Sequence, residues 1–330
     1  MTIKWYKFLK SQPGELKKLS LKDNEIIEKD NLVVCQKTKY LAFGKFNNYL
    51  DFVKFMIRET FPENRCFYEI IEGNKSQKPY FDIEFYVSEK LEEPAMIESE
   101  LVLPIADADE SIRQIVKAIQ EELKAITSSV NTNSHIFVFT SHKDSKRSYH
   151  IVVEGFCFSD NKSNRLFSER IRSKIPEKWK NIIDASMYKS SQQFRIVGSC
   201  KFGTNRFKIL NQELTVNGYG RNGWIPKIEI ESEEHEILLL VEASLITQVS
   251  GSILLPSLLD DKEEASGNIK TKTFAQNELN EYFEPLTSEN IKEALALCHK
   301  VAGMEYGDPR FPYGYMRTIE DNGESSIILL

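Results

Sequence analysis

The sequence predicts an α+β protein, because stretches with strand periodicity and stretches with helix periodicity alternate along its 330 residues without a strict βαβ repeat. Hydrophobic residues make up 41% and charged residues 28% of the chain, which is typical of a soluble globular protein. No internal repeat is visible in the sequence. The length allows a large core and suggests two or so domains.

Apolar residues recur at helical spacing in four segments. These segments predict helices across residues 46–57, 112–126 and 168–173, and from about Ser288 onward. For the second of these helices, Asp109 or Ser111 is the expected N-cap. Runs rich in apolar and aromatic residues predict strands. The predicted strands are Cys66–Ile71, Tyr80–Tyr86, His135–Thr140, Ser148–Glu154, Gln193–Phe202 and the stretch from Ser325 to Leu330.

Three segments predict connections between these elements. Residues 87–110 hold eight Asp or Glu against one Lys, and this charge predicts an acidic connector. Residues 256–273 are rich in Ser, Gly and charged side chains, which predicts a linker or a long loop. Gly and Pro residues predict a further loop across 307–314.

The composition argues against a membrane protein and a secreted disulfide-rich protein. Apolar stretches such as Ile237–Val241 are far shorter than the roughly 18 residues of a membrane span. The first ten residues lack the apolar core of a signal peptide. Five widely spaced cysteines without a C-x-x-C pair predict reduced thiols and no zinc site. We therefore expect a soluble intracellular protein of the cytoplasm or nucleus, without a membrane partner.

The net charge of −6 conceals a strong segregation of sign along the chain. Residues 141–208 hold 15 Lys or Arg against 6 Asp or Glu. A basic surface on an acidic protein can hold a phosphate backbone, and such binding weakens as the salt concentration rises. The total charge therefore says nothing against a nucleic-acid partner.

The first candidate site is the D-x-E pair of Asp82 and Glu84. Side chains alternate along a strand, so Phe81 and Ile83 share one face, while the two carboxylates share the other, about 6–7 Å apart. Two like charges in this arrangement repel each other unless a cation lies between them, and Mg²⁺ or Mn²⁺ suits such oxygen ligands. The alternative is a half-buried strand with a solvated outer face.

The second candidate site is the S-x-H pair of Ser148 and His150, which share one face of a predicted strand. Together with the nearby Lys146, this hydroxyl and imidazole can hold an anion such as a triphosphate. The alternative is a histidine of the core next to a solvated basic loop.

The third candidate site begins at Asp184, which follows an apolar pair and can supply a third carboxylate. If residues 193–201 form one regular strand, then Arg195, Ser199 and Lys201 share a face. The alternative makes Asp184 a helix or turn cap and Arg195 an ordinary ion-pair partner.

The three sites fit one reaction when they are taken together. Carboxylates that hold divalent metals can activate a 3′-hydroxyl and stabilise a leaving pyrophosphate. Basic and hydroxyl side chains can bind the triphosphate where negative charge develops. The carboxylates without the basic residues would suit a nuclease equally well, so the basic residues favour nucleotidyl transfer.

At this point the sequence resembles the archaeo-eukaryotic primase superfamily, and within it the primase-polymerase (PrimPol) and herpes/pox (large DNA virus) primase branch. The apolar strand Tyr80–Phe85 matches the family's first motif, and Ser148-Tyr149-His150 matches its second. The third motif is matched by Asp184, Tyr188, Gln193-Phe194-Arg195 and Ser199-Cys200-Lys201 in the expected order. The resemblance covers about residues 60–210.

The resemblance implies a two-module primase core and a set of site residues. The implied regions are an N-terminal α/β module (1–75), an RRM-like catalytic module (76–210) and a C-terminal accessory region, partly helical (211–330). The implied metal ligands are Asp82, Glu84 and Asp184. The implied nucleotide contacts are Ser148, His150, Arg195 and Lys201, with Ser141 and Lys146 at less fixed positions. Tyr68 is a possible contact of the nucleotide sugar.

The resemblance also implies the activity of a DNA primase/polymerase, a nucleotidyltransferase. It would use Mg²⁺ or Mn²⁺ and NTP or dNTP to make or extend primers on single-stranded DNA. Members of this branch usually carry a zinc module after the core, which this sequence lacks. We therefore expect the N-terminal part of a viral primase-helicase, whose superfamily-3 helicase lies on the same or another chain. The alternatives are a catalytically weak single-stranded DNA-binding module of a helicase and a metal-dependent nuclease.

Overall fold

The computed structural model describes residues 3–10, 12–21, 31–98, 100–127, 135–216, 233–259, 316–321 and 324–329. The chain divides into two compact units. The first unit contains every described residue up to Leu259, and the second contains the described residues from Met316 onward.

The regular elements alternate along the chain as in an α+β protein. The strands are β1 (Trp5–Tyr6), β2 (Leu32–Lys37), β3 (Leu41–Phe46), β4 (Phe67–Glu72), β5 (Tyr80–Ser88), β6 (Ala95–Ile97), β7 (Glu100–Pro104), β8 (His135–Thr140), β9 (Lys146–Glu154), β10 (Phe156–Cys157), β11 (Ser191–Arg195), β12 (Ile209–Leu210), β13 (Ile253–Leu254), β14 (Met316–Asp321) and β15 (Glu324–Leu329). The helices are α1 (Tyr49–Arg58), α2 (Asp107–Ile126), α3 (Asn161–Lys174) and α4 (Glu233–Ser244). Short 3₁₀ helices are Gly14–Leu19, Pro62–Asn64, Glu177–Ile182 and Ala185–Met187.

The first sheet is antiparallel throughout, with the strand order β1-β3-β2-β4-β11. Helix α1 begins where the Asn48 side chain accepts the Asp51 N–H at 2.9 Å, a typical N-cap. The helix buries Phe52, Val53 and Met56. The edge strand β11 of this sheet lies more than a hundred residues after its neighbour β4 in the chain. The sheet therefore joins the N-terminal segment to the third motif.

The second sheet has the order β12-β8-β9-β5-β7-β6, and only its β5–β7 pair is parallel. One face of this sheet packs against α2 and α3 through a buried apolar core. From β5 this core includes Phe81, Ile83 and Phe85, and from α2 it includes Ile112 and Ile115. Because side chains alternate along a strand, the opposite face carries the even-numbered residues of β5 and β9. That face holds the candidate site.

A C-terminal segment, residues 233–259, packs on the same unit. The Glu69 carboxylate, which is buried, accepts hydrogen bonds from the backbone N–H groups of Ile246 and Thr247 at 2.8 and 2.9 Å. The Lys78 ammonium donates to the Glu242 carbonyl at 3.0 Å and pairs with the Glu154 carboxylate. This segment is therefore part of the first unit.

The α+β class is confirmed, and so are most elements predicted up to Glu154. The structure confirms helices where 46–57, 112–126 and 168–173 were predicted, and strands at the predicted positions of β4, β5, β8, β9 and β15. The helix predicted from about Ser288 and the loop predicted at 307–314 lie outside the described residues, as do residues 260–273 of the predicted linker. The predicted boundaries at 75/76 and 210/211 remain predictions.

Three expectations are wrong. The acidic connector at 87–110 contains β6, β7 and the start of α2, because the apolar run Leu101-Val102-Leu103 adds a strand beside β5 despite the acidic surroundings. Helix α2 begins at Asp107 after Ala106, which offers no side-chain cap, so neither Asp109 nor Ser111 is the N-cap. The strand predicted at 193–202 ends at Arg195.

Among the described residues, no helix combines the length and apolar character that crossing a membrane requires. Four cysteines in this part of the chain are free thiols and are buried: Cys35, Cys66, Cys157 and Cys200.

Candidate active site

The register of two neighbouring strands brings the first two motifs together. In the antiparallel β5–β9 pair, Asp82 lies opposite His150 and Glu84 lies opposite Ser148. Directly opposite residues in a sheet point to the same face, with their Cβ atoms about 4.5–5.5 Å apart. Both carboxylates therefore meet the hydroxyl and the imidazole on the face of the sheet away from α2 and α3.

Asp82 is an ionisable group of this face whose surroundings disfavour its charged form. Burial raises its pKa to about 7, and the nearby carboxylates of Glu84 and Asp184 add to that effect. Its Oδ1 atom is shielded from solvent and has no hydrogen-bond partner. A carboxylate in such a place is well suited to a positively charged ligand, since a cation would relieve both the burial cost and the repulsion.

His150 is held as a neutral imidazole. Burial lowers its pKa well below the ordinary value, and the positive charges of Lys208 and Arg195 lower it further. Its Nε2 lies 3.5 Å from Asp82 Oδ1, and because the ring is neutral this contact is not an ion pair. The ring stacks on Phe194 with the centroids 4.1 Å apart, and its Nδ1 is buried without a partner.

Glu84 is surrounded by donors. Its carboxylate contacts the Lys146 ammonium at 2.7 Å, the Ser148 hydroxyl at 3.3 Å and the Lys201 ammonium at 3.6 Å. Burial opposes its ionisation, but Lys146 and Lys201 outweigh burial and hold the pKa of Glu84 below its ordinary value. One predicted metal ligand and three predicted nucleotide contacts are thus in direct contact in this structure.

The backbone of Asp184 is hydrogen-bonded to that of Asp82. Its N–H donates to the Asp82 carbonyl at 2.9 Å, while its carboxylate accepts the Ser186 N–H at 2.8 Å and caps the 3₁₀ helix Ala185–Met187. The cap alternative for Asp184 therefore holds in this structure. Within the described ranges, no three His, Cys, Asp or Glu side chains are grouped so as to hold a metal ion.

The donor chemistry nevertheless fits a hard divalent cation. Carboxylate oxygens are the ligands that Mg²⁺ and Mn²⁺ prefer. Asp82 offers an unpartnered oxygen, Glu84 shares its face of the sheet, and Asp184 is close enough to raise the pKa of Asp82. The observation that supports the fit is the unpaired, shielded Asp82 Oδ1 on the face of the sheet that Glu84 shares.

Arg195 and Lys201 lie on different kinds of backbone. Arg195 is the buried last residue of β11, and its guanidinium donates to the Arg206 carbonyl at 3.4 Å. Lys201 lies in the loop after this strand, residues 196–208, in which Gly198 has a φ of +75°. Residues 193–201 are therefore not one regular strand, and the condition under which Arg195, Ser199 and Lys201 would share a face is not met, because β11 ends at Arg195 and the chain turns after it.

The two remaining predicted residues lie at the border of the site. Ser141 is buried, and its hydroxyl donates to the Arg206 carbonyl at 3.0 Å. Tyr68 pairs with Arg195 across β4 and β11, and the Lys37 ammonium lies 4.3 Å from the centre of its ring. Ser141 shares the Arg206 carbonyl with Arg195, and Tyr68 is the strand partner of Arg195. The contacts described above for the three carboxylates include neither residue.

Lys208 also belongs to the site, although the sequence did not predict it. Its side chain is buried, and its ammonium donates to the Arg195 carbonyl at 2.6 Å. The ammonium also lies 4.4 Å from the ring centre of Phe194 and 5.0 Å from that of Phe139. In the sequence, Lys208 between Phe207 and Ile209 gives no signal that distinguishes it from a surface lysine.

Comparison with known proteins assigns a family to this part of the chain. Residues 60–211 match the family model described as "C962R protein N-terminal AEP domain", where AEP stands for archaeo-eukaryotic primase. The matched segment begins before β4 and ends just after β12, so it contains all three motifs.

Two similar proteins come from African swine fever virus, and each is named "Putative helicase/primase complex protein". The protein of a Kenyan isolate is 27% identical over 192 residues, which cover 56% of this chain and 18% of that protein. The protein of the Badajoz strain is 26% identical over 223 residues, which cover 63% of this chain and 21% of that protein. The chain therefore spans about a fifth of the length of these relatives. Residues 60–211 are therefore similar to a domain of the archaeo-eukaryotic primase superfamily.

Proposed function

We propose that the chain is a metal-dependent nucleotidyltransferase that makes or extends primers on single-stranded DNA from NTP or dNTP. The observation that carries this proposal is the β5–β9 register, which sets Asp82 against His150 and Glu84 against Ser148. Lys146 and Lys201 complete the arrangement, because both contact Glu84. Paired carboxylates beside hydroxyl and ammonium donors are the groups that template-directed phosphoryl transfer requires.

The metal would be held by Asp82 and Glu84, with Asp184 as the third carboxylate of the site. Bound Mg²⁺ or Mn²⁺ would supply Lewis-acid activation of a primer hydroxyl and neutralise charge on the phosphates. The ammonium groups of Lys146 and Lys201, now paired with Glu84, are the positive charges available to a triphosphate. Ser148 and the neutral His150 add a hydroxyl and a ring nitrogen that can donate or accept hydrogen bonds.

We extend the proposal to the biological setting through the relatives. Because they are named as helicase/primase complex proteins, we propose that this chain acts in DNA replication with a superfamily-3 helicase, on the same or another chain. The same names suggest that the protein works in the soluble interior of a host cell, at a viral replication site.

The test compares two double variants that remove the same charge. Asp82→Asn with Glu84→Gln should lower incorporation of labelled nucleotide on primed single-stranded DNA at least about a hundredfold with Mg²⁺ or Mn²⁺, since preorganised charge contributes at this level or more. Glu92→Gln with Glu93→Gln changes two exposed carboxylates away from the site and should leave incorporation unchanged. Normal incorporation by the folded Asp82/Glu84 variant would refute the proposal.

A second candidate function is a single-stranded DNA-binding module without chemistry. It is favoured by one observation: two lysines neutralise Glu84, and the Asp184 carboxylate is engaged as a cap. This candidate predicts tight strand binding and no incorporation by the wild-type protein with any divalent metal. Incorporation that rises with the concentration of Mg²⁺ or Mn²⁺ decides for the nucleotidyltransferase.

A further inference from the structure

A groove lined in part by Phe202, the residue after Lys201, carries two exposed aromatic side chains. The groove has a volume of about 450 Å³ and is lined by, among others, Gln36, Lys39, Phe55, Glu59, Phe61 and Phe202. We propose that this aromatic groove binds unstacked bases of the single-stranded DNA template. The proposal rests on the proposed function and adds to it the place where the strand is held.

The two phenylalanines are the first reason for this assignment. The exposed fraction is 73% for Phe61 and 51% for Phe202. Large aromatic residues are usually well buried, so two exposed rings that line one groove are unusual. Every base has an aromatic face, and stacking on such rings is a common way for proteins to hold single strands without sequence preference.

The charge of the groove is the second reason. Its charged lining residues are Lys39 and Glu59, one of each sign. A groove of this kind has little attraction for a phosphate backbone. The Gln36 amide nitrogen donates to the Asn64 carbonyl at 2.9 Å, which leaves the amide oxygen as an acceptor for base edges. The groove therefore favours bases over phosphates.

The position of the groove is the third reason. Phe202 directly follows Lys201, whose ammonium lies 3.6 Å from the Glu84 carboxylate. A base stacked on Phe202 would thus be held by the residue next in sequence to one that contacts the candidate metal ligand Glu84. This continuity is what a template needs if its next base is to meet the incoming nucleotide.

The walls of the groove are fixed to each other. The Cys200 N–H donates to the Arg65 carbonyl at 2.8 Å, and the thiols of Cys66 and Cys200 are 3.7 Å apart. The Arg65 guanidinium in turn donates to the Thr60 carbonyl at 3.2 Å, next to Phe61. Because the two rings are carried by segments bonded in this way, little order has to be gained when a base binds.

The experiment measures binding of a fluorescent oligo-dT strand without metal or nucleotide, by anisotropy. Phe61→Ala with Phe202→Ala should weaken binding about five- to hundredfold, because stacking on aromatic rings contributes strongly for each base. The control is Tyr40→Ala, which removes a ring that is also 73% exposed but does not line the groove. This control should bind like the wild type.

An abasic strand of the same length separates stacking from charge. The wild type should prefer oligo-dT to the abasic strand, and the double Phe variant should lose that preference. The slope of log affinity against log salt should be the same for wild type and Phe variant, whereas Lys201→Ala should make it shallower. These results support the groove as a base-binding site.

Two results would overturn the inference. One is unchanged affinity of the double Phe variant for oligo-dT, which would indicate that the groove binds something else, such as a partner protein. The other is an equal loss of affinity for both strands. Neither result affects the proposed function, which is refuted separately if the wild type fails to incorporate nucleotide.

Discussion

Lys208 and His150 show how burial sets the charge of the candidate site. Both side chains are buried, and burial lowers the pKa of each well below its ordinary value. Phe194 lies between them, stacked on the imidazole and in contact with the ammonium. The neutral state of His150 therefore depends partly on a lysine that never touches it, which is why the S-x-H motif alone does not reveal the protonation state.

Lys208→Met should change how stability depends on pH. The lowered pKa of Lys208 means that the folded protein binds fewer protons than the unfolded chain in the window between that pKa and the ordinary value of 10.5. Wild-type stability therefore gains a contribution that rises with pH in this window, up to about 1.4 kcal/mol per pH unit. The variant lacks this contribution, so its stability relative to the wild type should be greatest near pH 7 and should fall as the pH rises.

The measurement is urea unfolding of both proteins between pH 7 and pH 9.5. Lys162→Met replaces an exposed lysine and should leave the pH curve parallel to that of the wild type. Parallel curves for wild type and Lys208→Met would contradict the buried-cation account. Loss of the hydrogen bond to the Arg195 carbonyl lowers the variant's stability by a similar amount at every pH and so does not mimic the expected trend.

Strands β5 and β9 were the parts of the site that the sequence predicts best. Each has a strong apolar alternation, so the shared face of Asp82 and Glu84 and that of Ser148 and His150 follow from the strand period alone. The pairing of Asp82 with His150 does not follow, because β5 and β9 are not consecutive in the chain, so no short turn sets their register and it depends on the core beneath them. The sequence therefore predicts two motifs, and the fold is needed to join them.

The loop at 196–208 and strands β6 and β7 mark where local patterns mislead. The run from Gln193 onward has strand character, but the strand ends at Arg195 and Gly198 takes a positive φ in the turn that follows. A long-range hydrogen bond from the Cys200 N–H to the Arg65 carbonyl then helps to fix where Lys201 lies. Between 87 and 110, the count of acidic residues hid Leu101–Leu103, whose burial beside β5 outweighs the charge of its neighbours.

Helices α2 and α3 are joined by an ion-pair cluster, which predicts how the stability of the protein changes at acidic pH. Glu122, almost fully buried, contacts Arg170 at 3.1 Å and Lys174 at 2.6 Å. Burial opposes ionisation of Glu122, but the two cations outweigh it and hold its pKa below the ordinary value of 4.5. The stabilisation is therefore complete above pH 4.5 and is lost as the pH falls through the lowered pKa.

Glu122→Gln should lower the free energy of unfolding by about 1 kcal/mol at pH 7, because both cations are partly exposed and solvent screens the pair. The difference from the wild type should shrink below pH 4.5. Glu121→Gln is the matched control, because the Glu121 carboxylate is exposed and lies 4.0 Å from the Lys117 ammonium. A pH-independent difference for Glu122→Gln, measured by urea unfolding, would assign the loss to packing instead of charge.

The first unit extends beyond the segment that matches the primase family model. That match ends at residue 211, yet residues 233–259 contribute groups that the core cannot replace. Glu69 in β4 accepts three hydrogen bonds from Ile246 and Thr247, including one from the Thr247 hydroxyl at 2.6 Å. Without them, a buried carboxylate would be left without partners, which costs more than the bonds themselves contribute.

A protein cut after residue 211 should therefore be much less stable than one cut after residue 259. Hydrogen bonds to a charged group contribute about 1.5–3 kcal/mol each, so the shorter chain loses several kcal/mol at Glu69 alone, besides the burial of Leu245 and Ile246. The described residues from Met316 onward belong to the other unit, so removal of residues 260–330 should leave the melting of the first unit unchanged. Thermal melts followed by circular dichroism, with trypsin sensitivity as a second readout, compare the full chain with both shorter chains.

Thr247→Val in the 1–259 chain gives the graded case. It removes the hydroxyl bond to Glu69 and keeps both backbone bonds, so it should lower stability by about 1–2 kcal/mol and not unfold the protein. Thr38→Val changes a hydroxyl bonded at 3.3 Å to a neighbouring carbonyl in an exposed turn and should have little effect. Equal melting temperatures for the 1–211 and 1–259 chains would show that residues 1–211 fold stably without residues 233–259. The buried Glu69 carboxylate would then need another source of stabilisation.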